Sequence, residues 1–252
     1  MYDIKPLDLS PKGIEICAEL LSLVYSRSDQ ASEEKYLNWE YNLNPIGKAV
    51  GYNAWYNNKL AAHYVAQPII MLINGKEARG LLSINTATHP EHQRKKLFTT
   101  LADATYQHAK NLGYSFVIGV ANANSTPGFI RKLGFELISP LTAKIGIGRI
   151  NYQSTKNPNT CERLWSRESL KWRLRNPLKK YSINISNVDI EFDGTSIYAT
   201  HFNSNFDLGD PSDLARKASV VGYYLTEEPC NGEIILFYSE EGNEIKAVTN
   251  CN

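Results

Sequence analysis

Apolar positions along the front half of the chain keep two periods, and the switches between them mark the elements. Tyr2–Leu7 alternates as a strand and is stopped by Asp8-Leu-Ser-Pro11. Ser10 followed by Pro11 is a helix start, and Ile14, Cys17, Leu20, Leu21 and Val24 then recur at helical spacing. Ser32-Glu-Glu-Lys opens a second helix that runs through Asn42 and must end before Asn44-Pro45. Period two returns at Val50–Trp55, and Asn57-Asn58 turns that strand into Leu60–Ile73. Asn74-Gly75 is a two-residue hairpin signal into a strand that includes Arg79–Ala87. A basic turn follows, then an amphipathic helix from Thr99 to Leu112, with Leu101, Thr105, Ala109 and Leu112 on one stripe. Phe116–Ala121 reads as a buried strand. Asn122-Ala-Asn-Ser-Thr-Pro, a short helix and Lys132-Leu-Gly-Phe135 come next.

Beyond Ile147 the pattern changes. Gly148–Thr160 is polar and reads as a linker, which divides the chain into an expected domain at 1–148 and a second, α+β domain at 160–252. The second part is expected to hold a helix at Glu162–Arg175 and strands at Tyr181–Ile185, Val188–Phe192 and Thr195–Thr200. A helix from Pro211 to Tyr224 and a hairpin pairing Glu233–Tyr238 with Glu244–Val248 follow. One internal echo links the halves. Leu37-Asn-Trp-Glu-Tyr-Asn-Leu-Asn-Pro45 and Leu170-Lys-Trp-Arg-Leu-Arg-Asn-Pro177 each place a Trp near a helix end, then an Asn-Pro stop. Either generic helix-stop chemistry or a partial duplication of the front half accounts for it.

Composition narrows the function classes. A length of 252 residues with 42% apolar content suits an ordinary globular protein with a substantial core. A net charge of +1 argues against a surface that coats nucleic acid, so any phosphate recognition must be local. No run has the length of a membrane span and the start lacks a signal-peptide pattern. Cys17, Cys161, Cys230 and Cys251 show no metal-ligand spacing, so no metal is expected. Free thiols in a reducing cytosol, and hence a cytoplasmic location, are the expectation. Either a monomer or a homodimer is compatible with these properties.

The chemistry concentrates in Thr88-His-Pro-Glu-His-Gln-Arg-Lys-Lys-Leu-Phe98. A strand that opens into a basic turn and then a helix aims backbone N–H groups at one point, where the helix dipole and Arg94, Lys95 and Lys96 favour an anion. With the strand, the Asn-containing turn, the short helix and Leu-Gly-Phe that follow, this order resembles the GNAT superfamily of acyl-CoA-dependent N-acyltransferases. The resemblance covers roughly residues 1–145. It implies a mixed, mainly antiparallel central sheet flanked by helices, an α/β (α+β) fold, with the C-terminal α+β extension added to it.

The resemblance also implies a site. Gln93 starts the phosphate cradle, and Arg94, Lys95, Lys96, Leu97, Phe98 and Thr99 continue it toward the pyrophosphate of coenzyme A. Lys96 stands where the family has Gly, and Phe98 where it has Gly or Ala. A side chain at the Gly position limits how closely the backbone approaches a pyrophosphate. The pantetheine arm is expected along the strand edge at Asn85, Thr86, Ala87 and Thr88. Asn124 matches an Asn near that arm, or is a turn residue before Pro127. Phe129 lies on the same path. The family's tyrosine acid would fall at Ile130, so that element does not carry over. A CoA thiolate, with a thiol pKa of about 8.5, is a fair leaving group without it.

His63 is the best candidate for the base that takes the amine proton, although a lone strand histidine is also a common structural residue. His89 and His92 flank the cradle, where phosphate or solvent would meet them, His108 is on the helix, and His201 reaches the site only if the C-terminal part folds over it. No Cys or Ser has a paired His in recognisable context, which favours direct amine attack over a covalent enzyme intermediate. Arg163, Arg167 and Lys171 fall on one face of the expected 162–175 helix. That face is either solvated or receives an acidic acceptor beside Trp39 and Trp172. GNAT-like enzymes with such a tail include those acting on nucleotide-linked amino sugars, which makes that small-molecule acceptor the expectation. An N-acetyltransferase of a peptide or small amine, and a degenerate GNAT fold kept as a binding or regulatory module, remain the alternatives.

Overall fold

The computed structural model describes residues 1–25, 32–73, 76–121, 125–140, 142–147, 161–178, 181–184, 189–192, 221–226 and 234–239. Strand β1 (Asp3–Pro6) is followed by α1 (Pro11–Val24), which Ser10 caps by accepting from the Gly13 N–H. Helix α2 (Glu34–Asn42) precedes β2 (Val50–Tyr56), β3 (Lys59–Ile73) and β4 (Lys76–Thr88), an antiparallel run. Asn57 and Asn58 both take positive φ, the left-handed pair that a tight hairpin requires and asparagine tolerates. Helix α3 (Leu97–Asn111) then leads to β5 (Phe116–Ala121), parallel to β4, and α4 (Thr126–Leu133) stops at Gly134 with φ 71°.

The sheet order is β1-β2-β3-β4-β5-β12-β6, where β6 is Glu136–Pro140 and β12 is Ile234–Ser239. Only β4 and β5 within this path pair in parallel. The sheet is covered on both faces. One core joins Tyr64, Leu81 and Val117 to Leu101, Tyr106, Phe129 and Leu133 from α3 and α4. The other joins Leu60 and Val65 to Ile14, Leu21, Leu37, Trp39 and Tyr41 from α1 and α2. Each such fully buried side chain contributes about 1.5–3 kcal/mol. At Gly80 a Cβ would sit 2.2 Å from the Phe116 ring, so only glycine lets β4 and β5 close at this end of their pairing.

Three expectations need correction. The helix expected at 162–175 is shorter: Cys161–Arg163 forms β8 against Met71–Ile73 of β3, and Ser166 caps α5 (Arg167–Leu174). Pairing with a free strand edge outweighed the helical charge spacing of Arg163, so Arg163 does not share a helix face with Arg167 and Lys171. Val221–Thr226 is a strand, β11, paired with β7 (Thr142–Ile147), not the end of a helix. Its Tyr-rich run suits a strand. Finally, Ile234–Ser239 pairs with β5 and β6. Strands β9 (Tyr181–Asn184) and β10 (Asp189–Phe192) fall where short strands were expected and pair antiparallel with each other. The expected elements at Asn74-Gly75, 148–160, 195–200 and 244–248 lie outside the described residues. Among the described residues no helix is long and apolar enough to cross a membrane.

Candidate functional site: a splayed strand pair and its helix terminus

Strands β4 and β5 pair from Gly80–Phe116 to Ser83–Gly119 and then separate, although β4 runs on to Thr88 and β5 to Ala121. A bulge accompanies the separation. Val65 faces Ile84 and His63 faces Ala87, so Asn85 and Thr86 together oppose Tyr64, and Asn85 takes φ 34°. A bulge bends its strand and re-aims backbone groups out of the ladder. Between the strands opens a cavity of about 420 Å³, lined by Asn85, Thr86 and Thr88 on one side and Val120 on the other. Phe98 and Phe129 close one wall, their rings 5.4 Å apart. An extended arm carrying amides fits such a slot, with strand edges to pair with and aromatic rings to exclude water. The Tyr25 hydroxyl donates to the Thr86 carbonyl at 2.6 Å, which ties the end of α1 to the bulge.

The basic turn next to this cavity, expected as an anion cradle, leads directly into α3. Arg94 and Lys96 both adopt left-handed φ, 60° and 61°, with Gln93 extended before them. Lys96 therefore holds the very conformation for which glycine is favoured, at a cost of about 1–2 kcal/mol. The Lys96 carbonyl accepts from the Thr100 N–H and from the Thr99 and Thr100 hydroxyls. Among the described residues no side chain caps α3, so the N–H groups of its first turn, which begins at Leu97, Phe98 and Thr99, are open to an anion. Leu97 is buried in the core and anchors the turn. Phe98 makes an edge contact with Tyr64 and so belongs as much to the core as to the cavity.

His63 is 1% exposed and does not reach the cavity. Its Nε2 is 3.0 Å from the Tyr41 hydroxyl and its Nδ1 2.7 Å from Asn53 Oδ1. An amide oxygen only accepts, so the ring is the Nδ1–H tautomer and Tyr41 donates to Nε2. Burial pushes the imidazole down to about 3 and the Tyr41 phenol well above its usual range. The expectation that His63 takes the acceptor's proton is corrected by this geometry, since both ring nitrogens are occupied and the ring does not line the cavity. Strand alternation left its facing open, and it faces the α1–α2 core. The sequence also missed that Cys17 Sγ lies 3.8 Å from His63 Nδ1. This pair is no nucleophile dyad, because burial pushes the thiol up to about 12 and the near ring nitrogen carries a hydrogen.

Glu40, with no motif to mark it, is the buried carboxylate of this region. It is 7% exposed, accepts from the Tyr36 hydroxyl at 2.9 Å, and accepts from Asn85 Nδ2 at 2.6 Å. The acceptor-side aromatic residues are placed differently from the expectation. Trp39 and Trp172 are both buried and stack on each other at 4.5 Å, so neither offers a face to a ligand. Arg167 and Lys171 are half-buried on α5. Arg163 lies over the Trp165 ring at 4.0 Å, and its buried Nε and Nη2 have no hydrogen-bond partner among the described residues. Burial, with Arg173 nearby, pulls its guanidinium down to about 9. Ile130, at the position of the family's acid, is 36% exposed on α4 and carries no proton. His92 packs on Tyr2 and Tyr56. His89, Glu91 and His92 bring donor atoms within 4.8 Å of one another, but His89 Nδ1 already accepts the Glu91 N–H as a turn cap. His108 makes an edge contact with Tyr52. Asn124 and His201 lie outside the described residues.

Residues 6–138 match the family model described as Acetyltransferase (GNAT) domain, just over half of the chain. A search of the curated proteins finds no match. Among solved structures, a probable N-acyltransferase of Enterococcus faecalis superposes with a TM-score of 0.60 at 8% identity, covering 96% of this chain and 73% of that one. A predicted acetyltransferase of Clostridium acetobutylicum with acetyl-CoA gives 0.45 at 21% identity, over 54% and 90%. The N-myristoyltransferase of Saccharomyces cerevisiae with bound myristoyl-CoA gives 0.41 at 19% identity, over 48% of this chain, which spans only 29% of that protein's length. At these identities the structural likeness speaks for the fold.

Proposed function

The chain belongs to the GNAT acetyltransferase family, and on that premise we propose that this enzyme, an acyl-CoA-dependent N-acyltransferase, moves the acyl group to a nucleotide-linked amino sugar. The observation that carries the acyl-CoA half is the coincidence of two features. The β4–β5 splay opens a slot for an amide-bearing arm, and the uncapped α3 terminus beside it, with Arg94, Lys95 and Lys96, suits a pyrophosphate. The amine nitrogen attacks the thioester carbonyl. An N–C bond forms, the C–S bond breaks, one proton leaves the nitrogen, and one reaches the sulfur. Backbone N–H groups at the Asn85–Thr86 bulge are suited to hold the developing oxyanion. A sugar amine is partly neutral near neutral pH, which reduces the need for a strong base.

The acceptor half rests on Arg163. Arg163 is half-buried and has two buried N–H groups with no partner among the described residues, which is unfavourable, and a diphosphate arriving near β8 and α5 would relieve that. The test is thiol release from acetyl-CoA and longer acyl-CoAs against amino-sugar nucleotides, polyamines and peptides. Turnover with an amino-sugar nucleotide is expected. Turnover on peptides alone would overturn the acceptor. Absence of any CoA binding by calorimetry would favour the second reading, a GNAT fold kept for binding or regulation, which Ile130 at the acid position supports.

A further inference from the structure

One polar side chain of the splay has no part in acyl-CoA binding as described above. Asn85 sits on the bulge and lines the cavity. Its Nδ2 donates to Glu40 Oε2 at 2.6 Å and to the Tyr41 hydroxyl at 3.1 Å. A carboxylate can only accept, so the nitrogen end of the amide must face Glu40, and its orientation is fixed by chemistry. The two hydrogens on that nitrogen are then both engaged. Tyr41 cannot reverse the arrangement, because its own hydrogen goes to His63 Nε2, and His63 is locked by Asn53 on its other side. What remains is Asn85 Oδ1, which has no hydrogen-bond partner among the described residues and is not sealed from solvent.

We infer that Asn85 Oδ1 receives an N–H of the acceptor amine and aims its nitrogen at the thioester carbonyl, with Glu40 and Tyr41 as the residues that hold the amide in place. The inference rests on the acyl-CoA reading. It names the ligand as a primary amine, entering from the α1–α2 side as a hydrogen-bond donor. One hydrogen bonded to Oδ1 leaves the nitrogen lone pair free to point at carbon, which is the orientation attack requires. The Glu40 charge polarises the Asn85 amide and makes its oxygen a better acceptor for a cationic amine on approach. Asn85 takes no proton in this scheme; water does.

Two isosteric CoA derivatives test it without any knowledge of the acceptor. S-carbamoylmethyl-CoA carries an amide NH2 where S-acetonyl-CoA carries a methyl group. By titration calorimetry the wild-type protein is expected to bind the carbamoylmethyl derivative about tenfold more tightly, the scale of one good hydrogen bond. Asn85→Ala should reduce that ratio to below about twofold, whatever it does to the two affinities together. Glu40→Gln, which lets the Asn85 amide turn over, should lower the ratio in the same way and keeps the test alive if Asn85→Ala does not fold. Equal wild-type binding of both derivatives, or a ratio that survives both substitutions, overturns the inference while acyl-CoA binding stands. Failure of both derivatives to bind the wild-type protein removes the acyl-CoA reading, and the inference with it.

Discussion

Trp39 and Trp172 hold each other by reciprocal hydrogen bonds: Trp39 Nε1 donates to the Trp172 carbonyl at 3.0 Å, and Trp172 Nε1 donates to the Trp39 carbonyl at 3.1 Å. Their rings stack at an interplanar angle of 11°. The segments around them match further. Asn44 Oδ1 accepts from the Ile46 N–H and Asn176 Oδ1 from the Leu178 N–H, the same turn two residues on. The internal echo in the sequence is thus a face-to-face contact in the fold. It carries α5 onto the helix that supplies Glu40 and Tyr41.

That contact should be costly to remove. Trp172→Ala is expected to destabilise the protein by about 3–5 kcal/mol, since it deletes a buried ring and removes one of the two donors to the Trp39 carbonyl, the Leu43 N–H remaining. Trp172→Phe should cost less, because an aromatic ring remains for stacking. Urea unfolding of both variants, with the order reversed or both near zero, would show that the pair does not hold the two parts together.

The cradle makes its own forecast. Replacing Lys95 and Lys96 by Glu should weaken CoA binding about tenfold or more, on the order of 1.4 kcal/mol. Binding should also become less dependent on salt. A variant that binds acyl-CoA as tightly as the wild type would place the anion site elsewhere.

His63 ties stability to pH. Its folded value is lowered to about 3 from an ordinary 6.5, so the unfolded chain binds more protons between those limits. The contribution is fully present above about pH 6.5 and is lost as pH falls toward 3. His63→Gln should flatten the unfolding free energy over this window. It should leave the pH profile of acyl transfer above pH 6.5 unchanged, because the neutral ring gives no proton to and takes none from the cavity. A kinetic limb that disappears in His63→Gln would restore this histidine as a base.

Cys17 supplies a check on direct attack. With its thiol pushed up to about 12 by burial, it should resist iodoacetamide in the folded protein near pH 8. Cys17→Ala should keep acyl transfer within about threefold. An acyl group found on the Cys17 peptide by mass spectrometry after incubation with acetyl-CoA would contradict transfer without a covalent intermediate.

Much of the front half was legible because its signals are local. Ser10-Pro11 dictates a helix start and Asn57-Asn58 a hairpin whatever surrounds them, and the turn before α3 carries its positive charge in its own residues. Long-range pairing was not legible. Nothing near Arg163 announces that β3 has a free edge for it, and nothing near Ile234–Ser239 announces that this strand enters between β5 and β6. The site divides in the same way. Sequence order alone located the basic turn and the strand ends that frame the cavity, since these follow from neighbours along the chain. Only the tertiary structure decided that His63 points into a closed core, that Trp39 and Trp172 satisfy each other, and that Glu40 turns the Asn85 amide. Each depends on which side chain from a distant element takes up a polar group, and the strength of burial and hydrogen bonding is set by that encounter.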